Sequence, residues 1–109
     1  MRKAGVAALF LALVASPGVF AAGNAAAGKE VYMKRCTACH GDDGNGKEAV
    51  AKMMKATIPP LASKDVQALS DDQLGKVMTA GKGMMKPVTG LSAAEVTNVV
   101  AFIRSLAKK

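Results

Sequence analysis

The chain has 109 residues, with 15 Lys and Arg against 8 Asp and Glu for a formal net charge of +7, no Trp, one Tyr and three Phe. That length allows one small domain and no second one, and so few aromatics leave a small core short of bulk, which points to a large bound filler. The basic balance suits an acidic protein partner or an anionic surface; without an aromatic-basic stripe for base stacking, nucleic acid is a poor partner, and scattered lysines that only keep the chain soluble explain the charge as well.

Met1-Arg2-Lys3 followed by the Ala/Leu/Val-rich run from Ala4 to Phe20 reads as a secretory signal, with Val19-Phe20-Ala21 placing small or aliphatic residues at the cleavage positions. A second acceptable cut follows Ala27. Ser16-Pro17-Gly18 interrupts the run, which is short for the roughly 20 residues of a bilayer span, so a cleaved signal is expected rather than an anchor. No Cys follows to carry a lipid. Residues 1–21 are accordingly predicted to be signal and residues 22–109 a single exported, periplasmic domain. Cleavage removes two basic and no acidic residues, leaving a net charge of +5 on about 88 residues.

Ala25 to Arg35 reads as a helix with Gly28, Tyr32 and Cys36 on one face, where the glycine admits a second helix at close range. Next comes Cys36-Thr37-Ala38-Cys39-His40, the C-x-x-C-H spacing of covalent haem attachment. Two thiols three residues apart can each form a thioether with one vinyl group, and the adjacent imidazole then lies where Nε2 can bind iron. Three other uses of this string fit less well. A thioredoxin-type pair wants a βαβ setting, and no strand-like alternation is present. Structural zinc wants four ligands, whereas these three are the chain's only Cys and His residues. A plain disulfide leaves the histidine and the missing core filler unexplained.

Gly41-Asp42-Asp43-Gly44-Asn45-Gly46 is turn material, without the distant Glu of a calcium loop. Glu48 to Ala56 reads as helix, and Ile58-Pro59-Pro60-Leu61 as a rigid loop. Ser70-Asp71-Asp72-Gln73 is a capping box opening a short helix through Leu74, Val77 and Met78, with Gly81 placed to end it. Gly81-Lys82-Gly83-Met84-Met85-Lys86-Pro87 is a loop able to lay its backbone across a flat ligand. Ser92-Ala93-Ala94-Glu95 opens the last helix with a second capping box, and Val96, Val99, Val100, Ile103 and Leu106 follow at helical spacing with Phe102 beside them. Lys108-Lys109 suits its C-terminus.

Haem iron in an electron carrier needs a second axial ligand, and methionine is the soft candidate left. Met33 lies too near Cys36, while Met53, Met54 and Met78 sit in helical stretches where core packing is the commoner role. The loop pair Met84 and Met85 remains, and pattern alone does not separate them. The alternative is that both only line a pocket whose sixth position is open, as in a haem sensor or enzyme; carbon monoxide binding to the reduced protein distinguishes that case. A permanent subunit of a larger oxidoreductase would carry the same motif.

From residue 25 to residue 106 the chain resembles the class I monohaem c-type cytochromes, through the haem motif and, more softly, the terminal helices. The resemblance implies an all-α cytochrome c fold of about four helices around one covalently bound haem c, with the N- and C-terminal helices crossing at Gly28, Tyr32 and Phe102. Cys36 and Cys39 would carry the thioethers and His40 would be the proximal iron ligand. Aligned on the family's Gly-Lys-Gly-x-Met-Pro-like loop, Met85 falls at the distal position, with Met84 as the alternative and Lys86 standing where a proline often follows. Pro59 falls where the family's proline carbonyl accepts a hydrogen bond from the proximal imidazole Nδ1, and Leu61 where a leucine packs on the haem. The implied function is a monomeric, soluble single-electron carrier cycling Fe(III)/Fe(II) between redox proteins with acidic docking surfaces, with no small-molecule substrate and no enzymatic activity.

Overall fold

A computed structural model of the chain describes residues 23–107. The predicted signal, residues 1–21, and the basic pair Lys108-Lys109 lie outside the described residues. Six helical segments follow in order: α1 (Ala25–Arg35), α2 (Thr37–His40), α3 (Glu48–Met54), α4 (Lys64–Gln67), α5 (Asp71–Ala80) and α6 (Ala93–Leu106). Four are longer than a single turn, as expected, whereas α2 and α4 are four-residue turns.

The helix starts are where side chains can satisfy the free N–H groups of a first turn. Asn24 Oδ1 accepts the Ala27 N–H at 2.9 Å. Ser70 and Ser92 each form a complete capping box, with Gln73 and Glu95 returning a bond to the cap N–H. The stops are also local. Gly81 ends α5 at φ +80°, while α3 ends two residues before Ala56 because Lys55 turns into the left-handed region at φ 52°.

α1 and α6 cross at Gly28. A Cβ built there would lie 1.9 Å from the Asn98 carbonyl oxygen and 2.9 Å from the Val99 nitrogen, so only a glycine lets the two backbones meet. One turn on, the Tyr32 ring sits 4.9 Å from that of Phe102, centroid to centroid, at an interplanar angle of 51°, a tilted pairing of the kind aromatic rings favour. Tyr32, Val99, Val100, Phe102, Ile103 and Leu106 form one side of the core, which Leu61, Val66, Leu74 and Met78 complete.

A second junction joins α6 to the segment between α4 and α5. The Arg104 guanidinium donates to the Gln67 carbonyl (2.8 Å), the Leu69 carbonyl (2.6 Å) and the Asp71 carboxylate (2.9 Å). The Gln67 amide in turn donates to the carbonyls of Leu61 (2.8 Å) and Ile103 (3.1 Å). Backbone groups of a loop pressed on a helix are satisfied this way without a strand. The crossing and this clamp together leave a cavity between the core, α2 and the loop that follows α5.

Candidate functional site

The Cys-x-x-Cys-His string forms a single turn. Cys36 is its N-cap, and its carbonyl accepts the N–H of His40 at 3.0 Å. So short a helix cannot bond its own last carbonyls. The glycine-rich turn that follows does so instead: the N–H groups of Gly41, Gly46 and Lys47 donate to the carbonyls of Thr37 (3.0 Å), His40 (2.7 Å) and Cys39 (2.9 Å). From α1, the buried Tyr32 hydroxyl donates to the Gly41 carbonyl at 2.6 Å. Burial first, then the nearby Cys36 and the acids Asp43 and Asp42, push the tyrosine up to about 12. The Leu61 N–H donates to the Gly44 carbonyl at 2.9 Å, which fastens the Pro59–Leu61 segment to the same turn.

This rigid turn presents its side chains to a cavity of about 670 Å³, lined by Cys36, Cys39 and His40, by Pro59 and Leu61, by Met84 and Met85, and by core residues such as Leu74, Met78, Val99 and Ile103. The volume lies within the usual range of cofactor pockets. Both cysteines are free thiols and half-buried. Burial pushes the Cys36 thiol up, opposed by the adjacent Arg35 cation. Burial pushes the His40 imidazole down, which keeps the ring neutral and its lone pair available to a metal.

The Nδ1 of His40 is buried and has no hydrogen-bond partner. The bond expected from it to the Pro59 carbonyl is therefore not formed in this structure, although Pro59 lines the same cavity as the ring. Pro59 lies in an exposed, non-helical segment held by the Leu61 N–H rather than by the imidazole.

The loop after α5 is a tight hairpin. Lys82 and Met85 exchange both backbone bonds, at 3.0 and 2.9 Å, around a two-residue turn of Gly83 and Met84 with Gly83 at φ +57°. Met84 therefore sits at the tip and is 54% exposed. Met85, at a paired position, is half-buried and packs against the core. The Val88 N–H donates to the Met78 carbonyl at 2.7 Å, and Arg35 Nη2 donates to the Thr89 carbonyl at 2.8 Å. Gly81 makes the close return possible, because a Cβ there would lie 2.6 Å from the Met85 carbonyl oxygen.

Two free thiols one turn apart, a neutral buried imidazole and an apolar cavity that two methionines reach make a fitting donor set for covalently attached haem. Zinc fits poorly, since no group of three or more His, Cys, Asp or Glu side chains converges among the described residues. The Asp43 carboxylate stays with its own turn, accepting from the Asn45 backbone and side chain at 3.0 Å each. Those bonds, the backbone one first, hold it below the ordinary carboxylate range. Sequence reasoning did not single out Arg104, Gln67 or Thr89. Arg104 and Gln67 donate to backbone carbonyls and Thr89 offers its own carbonyl to Arg35, and a backbone carbonyl leaves no residue-type signal in a sequence.

The cytochrome c family model matches residues 25–107, and the chain belongs to that family. It is a monohaem class I c-type cytochrome: its cofactor is covalently bound haem c and its chemistry is electron transfer. Over 93 residues it is 34% identical to cytochrome c-554(547) of Halothiobacillus neapolitanus, covering 78% of this chain and 99% of that one. Over 110 residues it is 34% identical to cytochrome c6 of a Picosynechococcus species, covering 92% and 93%. Among solved structures, the KustC0563 c-type cytochrome superposes with a TM-score of 0.60 at 28% identity, over 72% of this chain and 95% of that one. No helix among the described residues is long and apolar enough to cross a membrane.

Proposed function

We propose that this chain is a periplasmic, monomeric single-electron shuttle, exported by cleavage of residues 1–21, with haem c on Cys36 and Cys39, His40 as proximal and Met85 as distal iron ligand. Haem c supplies the Fe(III)/Fe(II) couple, and a thioether ligand raises its potential relative to two nitrogen ligands. The observation that carries the reading is the contrast between the two neighbouring methionines: Met85 is tucked against the core in the cavity that His40 lines, and Met84 is 54% exposed at the hairpin tip.

The protein's own residues do the rest. Leu61, Leu74, Met78, Val99 and Ile103 give the cavity an apolar lining, which disfavours the extra charge of the oxidised state. The capped turn of α2 and the paired backbone at Met85 hold the His40 and Met85 side chains in place, so the two residues that would bind the iron would need to move little when its charge changes. Arg35, Lys82 and Lys86 line the same cavity and favour partners whose docking surfaces are acidic. On this reading the chain acts as a carrier rather than an enzyme.

The test is the visible and near-infrared spectrum of the purified exported protein. A sulfur–iron band in the ferric form that disappears in Met85→Ala and persists in Met84→Ala is the expected result. Disappearance in Met84→Ala alone moves the ligand by one residue. A high-spin or five-coordinate spectrum of the unsubstituted protein overturns the carrier reading. Docking through basic residues is checked separately by electron-transfer rates that fall as ionic strength rises.

A further inference from the structure

We infer that Arg35 is a positioning residue for the distal methionine, acting as a latch between the helix that leads into the cysteines and the loop that carries Met85. The inference rests on the reading of Met85 as the sixth ligand.

Arg35 is the last residue of α1, immediately before Cys36, and it lines the same cavity as Met85. Its Nη2 donates to the Thr89 carbonyl at 2.8 Å, across 54 positions of sequence. Apart from the internal Lys82–Met85 pair, the hydrogen bonds from residues 81–91 to the rest of the described protein are few. Gly81 and Val88 bond to α5 through the carbonyls of Val77 (2.9 Å) and Met78 (2.7 Å), and Thr89 bonds to α1 through Arg35. Both α5 anchors lie before Thr89, so from Thr89 to the cap of α6 the Arg35 bond is the remaining polar tie. Packing at Thr89 and Gly90 themselves is thin: both are exposed, and a Cβ at Gly90 would meet nothing within 4 Å.

The far end of the latch is stiff. α1 is pinned by the Gly28 crossing and by Tyr32, whose hydroxyl closes the α2 turn. Arg35 thus ties the distal loop to the same rigid body that holds the proximal ligand, and it does so with a long, always-charged donor suited to a carbonyl at a distance. Releasing it lets the loop lift and the thioether leave more often. The frequency of leaving is read directly by an exogenous ligand that competes for the vacated position.

The experiment compares the holoprotein with Arg35→Met, which keeps the apolar stem and removes the donor, and with Arg35→Lys, which keeps the charge but lacks the forked guanidinium. Imidazole affinity of the ferric protein, thermal loss of the sulfur–iron band and global denaturant unfolding are measured on each. Arg35→Met is expected to bind imidazole about fivefold more tightly, the factor equivalent to ~1 kcal/mol and in the range of one net hydrogen bond. Its band should fade at a lower temperature than in the unsubstituted protein. Arg35→Lys should fall between the two, and if Arg35→Met does not mature, wild-type values in Arg35→Lys overturn the inference. Unchanged imidazole affinity in Arg35→Met also overturns it, even if global stability falls, because that is the mark of a merely structural arginine. Met85→Ala separates the two levels: if it retains the band, the ligand reading fails; if it loses the band while Arg35→Met behaves as wild type, only the latch fails.

Discussion

Replacing Gly28 by Ala adds one methyl group at the point where α1 and α6 touch. That Cβ would lie 1.9 Å from the Asn98 carbonyl oxygen, 2.4 Å from its carbon and 2.9 Å from the Val99 nitrogen. All three atoms are backbone in the middle of α6, so no rotamer change relieves the contact. Ordinary van der Waals contact begins near 3.4 Å, and the helices must therefore part by roughly 1.5 Å, a displacement far beyond the slack of a close-packed interior. Parting them draws Tyr32 from Phe102, now 4.9 Å away, and strains the 2.6 Å bond from its hydroxyl to Gly41. Overpacking costs about 1–3 kcal/mol, the aromatic pair contributes ~0.5–1.5 kcal/mol, and the hydrogen bond contributes ~1 kcal/mol. Against these, alanine gains up to ~1 kcal/mol in helix propensity. The expected net loss is roughly 2–4 kcal/mol, a fall in Tm on the order of 10–20 °C for a domain of this size. Denaturant unfolding of the holoprotein should show a lower midpoint at unchanged slope. Gly75→Ala is the internal control, since its new Cβ would meet only the Val96 Cγ1 at 3.3 Å; it should be neutral or stabilising by up to ~1 kcal/mol. A Gly28→Ala loss below ~0.5 kcal/mol, or one equal to that of Gly75→Ala, would refute the argument that backbone contact rather than helix propensity governs the crossing.

Lys55, the one non-glycine residue at positive φ among those described, should be better replaced by glycine: Lys55→Gly is expected to raise stability by about 0.5–1 kcal/mol, measured by the denaturant midpoint. Tyr32→Phe should cost ~1 kcal/mol at neutral pH through the lost bond to Gly41. Because the folded-state value of Tyr32 is raised to about 12, its contribution is complete below the unfolded value of 10 and disappears as pH climbs through 12, so Tyr32→Phe should lose less stability than the parent between those pH values. Gly81→Ala places a side chain at φ +80° and 2.6 Å from the Met85 carbonyl oxygen; it should weaken the sulfur–iron band and tighten imidazole binding more than it lowers global stability.

The parts of this fold that were legible in the sequence share a local cause. The capping boxes at Ser70 and Ser92 and the glycine stop at Gly81 declare themselves within a few residues and have the structural form anticipated; the spacing of Cys36, Cys39 and His40 is equally local, and the string forms one helical turn. The terminal-helix crossing was legible through resemblance, because Gly28 and Tyr32 by themselves carry no address for Asn98 or Phe102. Two kinds of feature stayed hidden. The first is any contact made to a backbone carbonyl: Arg104 to Gln67 and Leu69, Gln67 to Ile103, Arg35 to Thr89. A carbonyl is present at every position, so the acceptor's identity leaves no trace in composition or spacing. The second is which of two adjacent residues faces inward, a choice that the residues alone left open and that only the resemblance made, for Met85.

Met84 and Met85 show why that second choice is a question of turn geometry rather than residue chemistry. Both are methionines, both follow Gly83, and both line the cavity. What separates them is that the hairpin closes on Lys82 and Met85, which leaves a two-residue turn with Met84 at its tip. Had the backbone pair formed one residue later, the tip would have widened to three residues and the exposures would have changed with it. Gly81 selects the shorter closure by letting the Met85 carbonyl approach where any Cβ would block it. Gly83 at φ +57° then supplies the left-handed position that a two-residue turn of this hand requires. Two glycines flanking Lys82 thus decide which thioether is turned towards the core. The closure can be broken without touching either sulfur: Gly83→Val should disturb the turn through backbone strain alone, since the Cβ position at Gly83 is open space. It is expected to weaken the sulfur–iron band with little change in global unfolding. An undisturbed band in Gly83→Val would mean that packing of the Met85 side chain on the core, and not the turn, makes the choice.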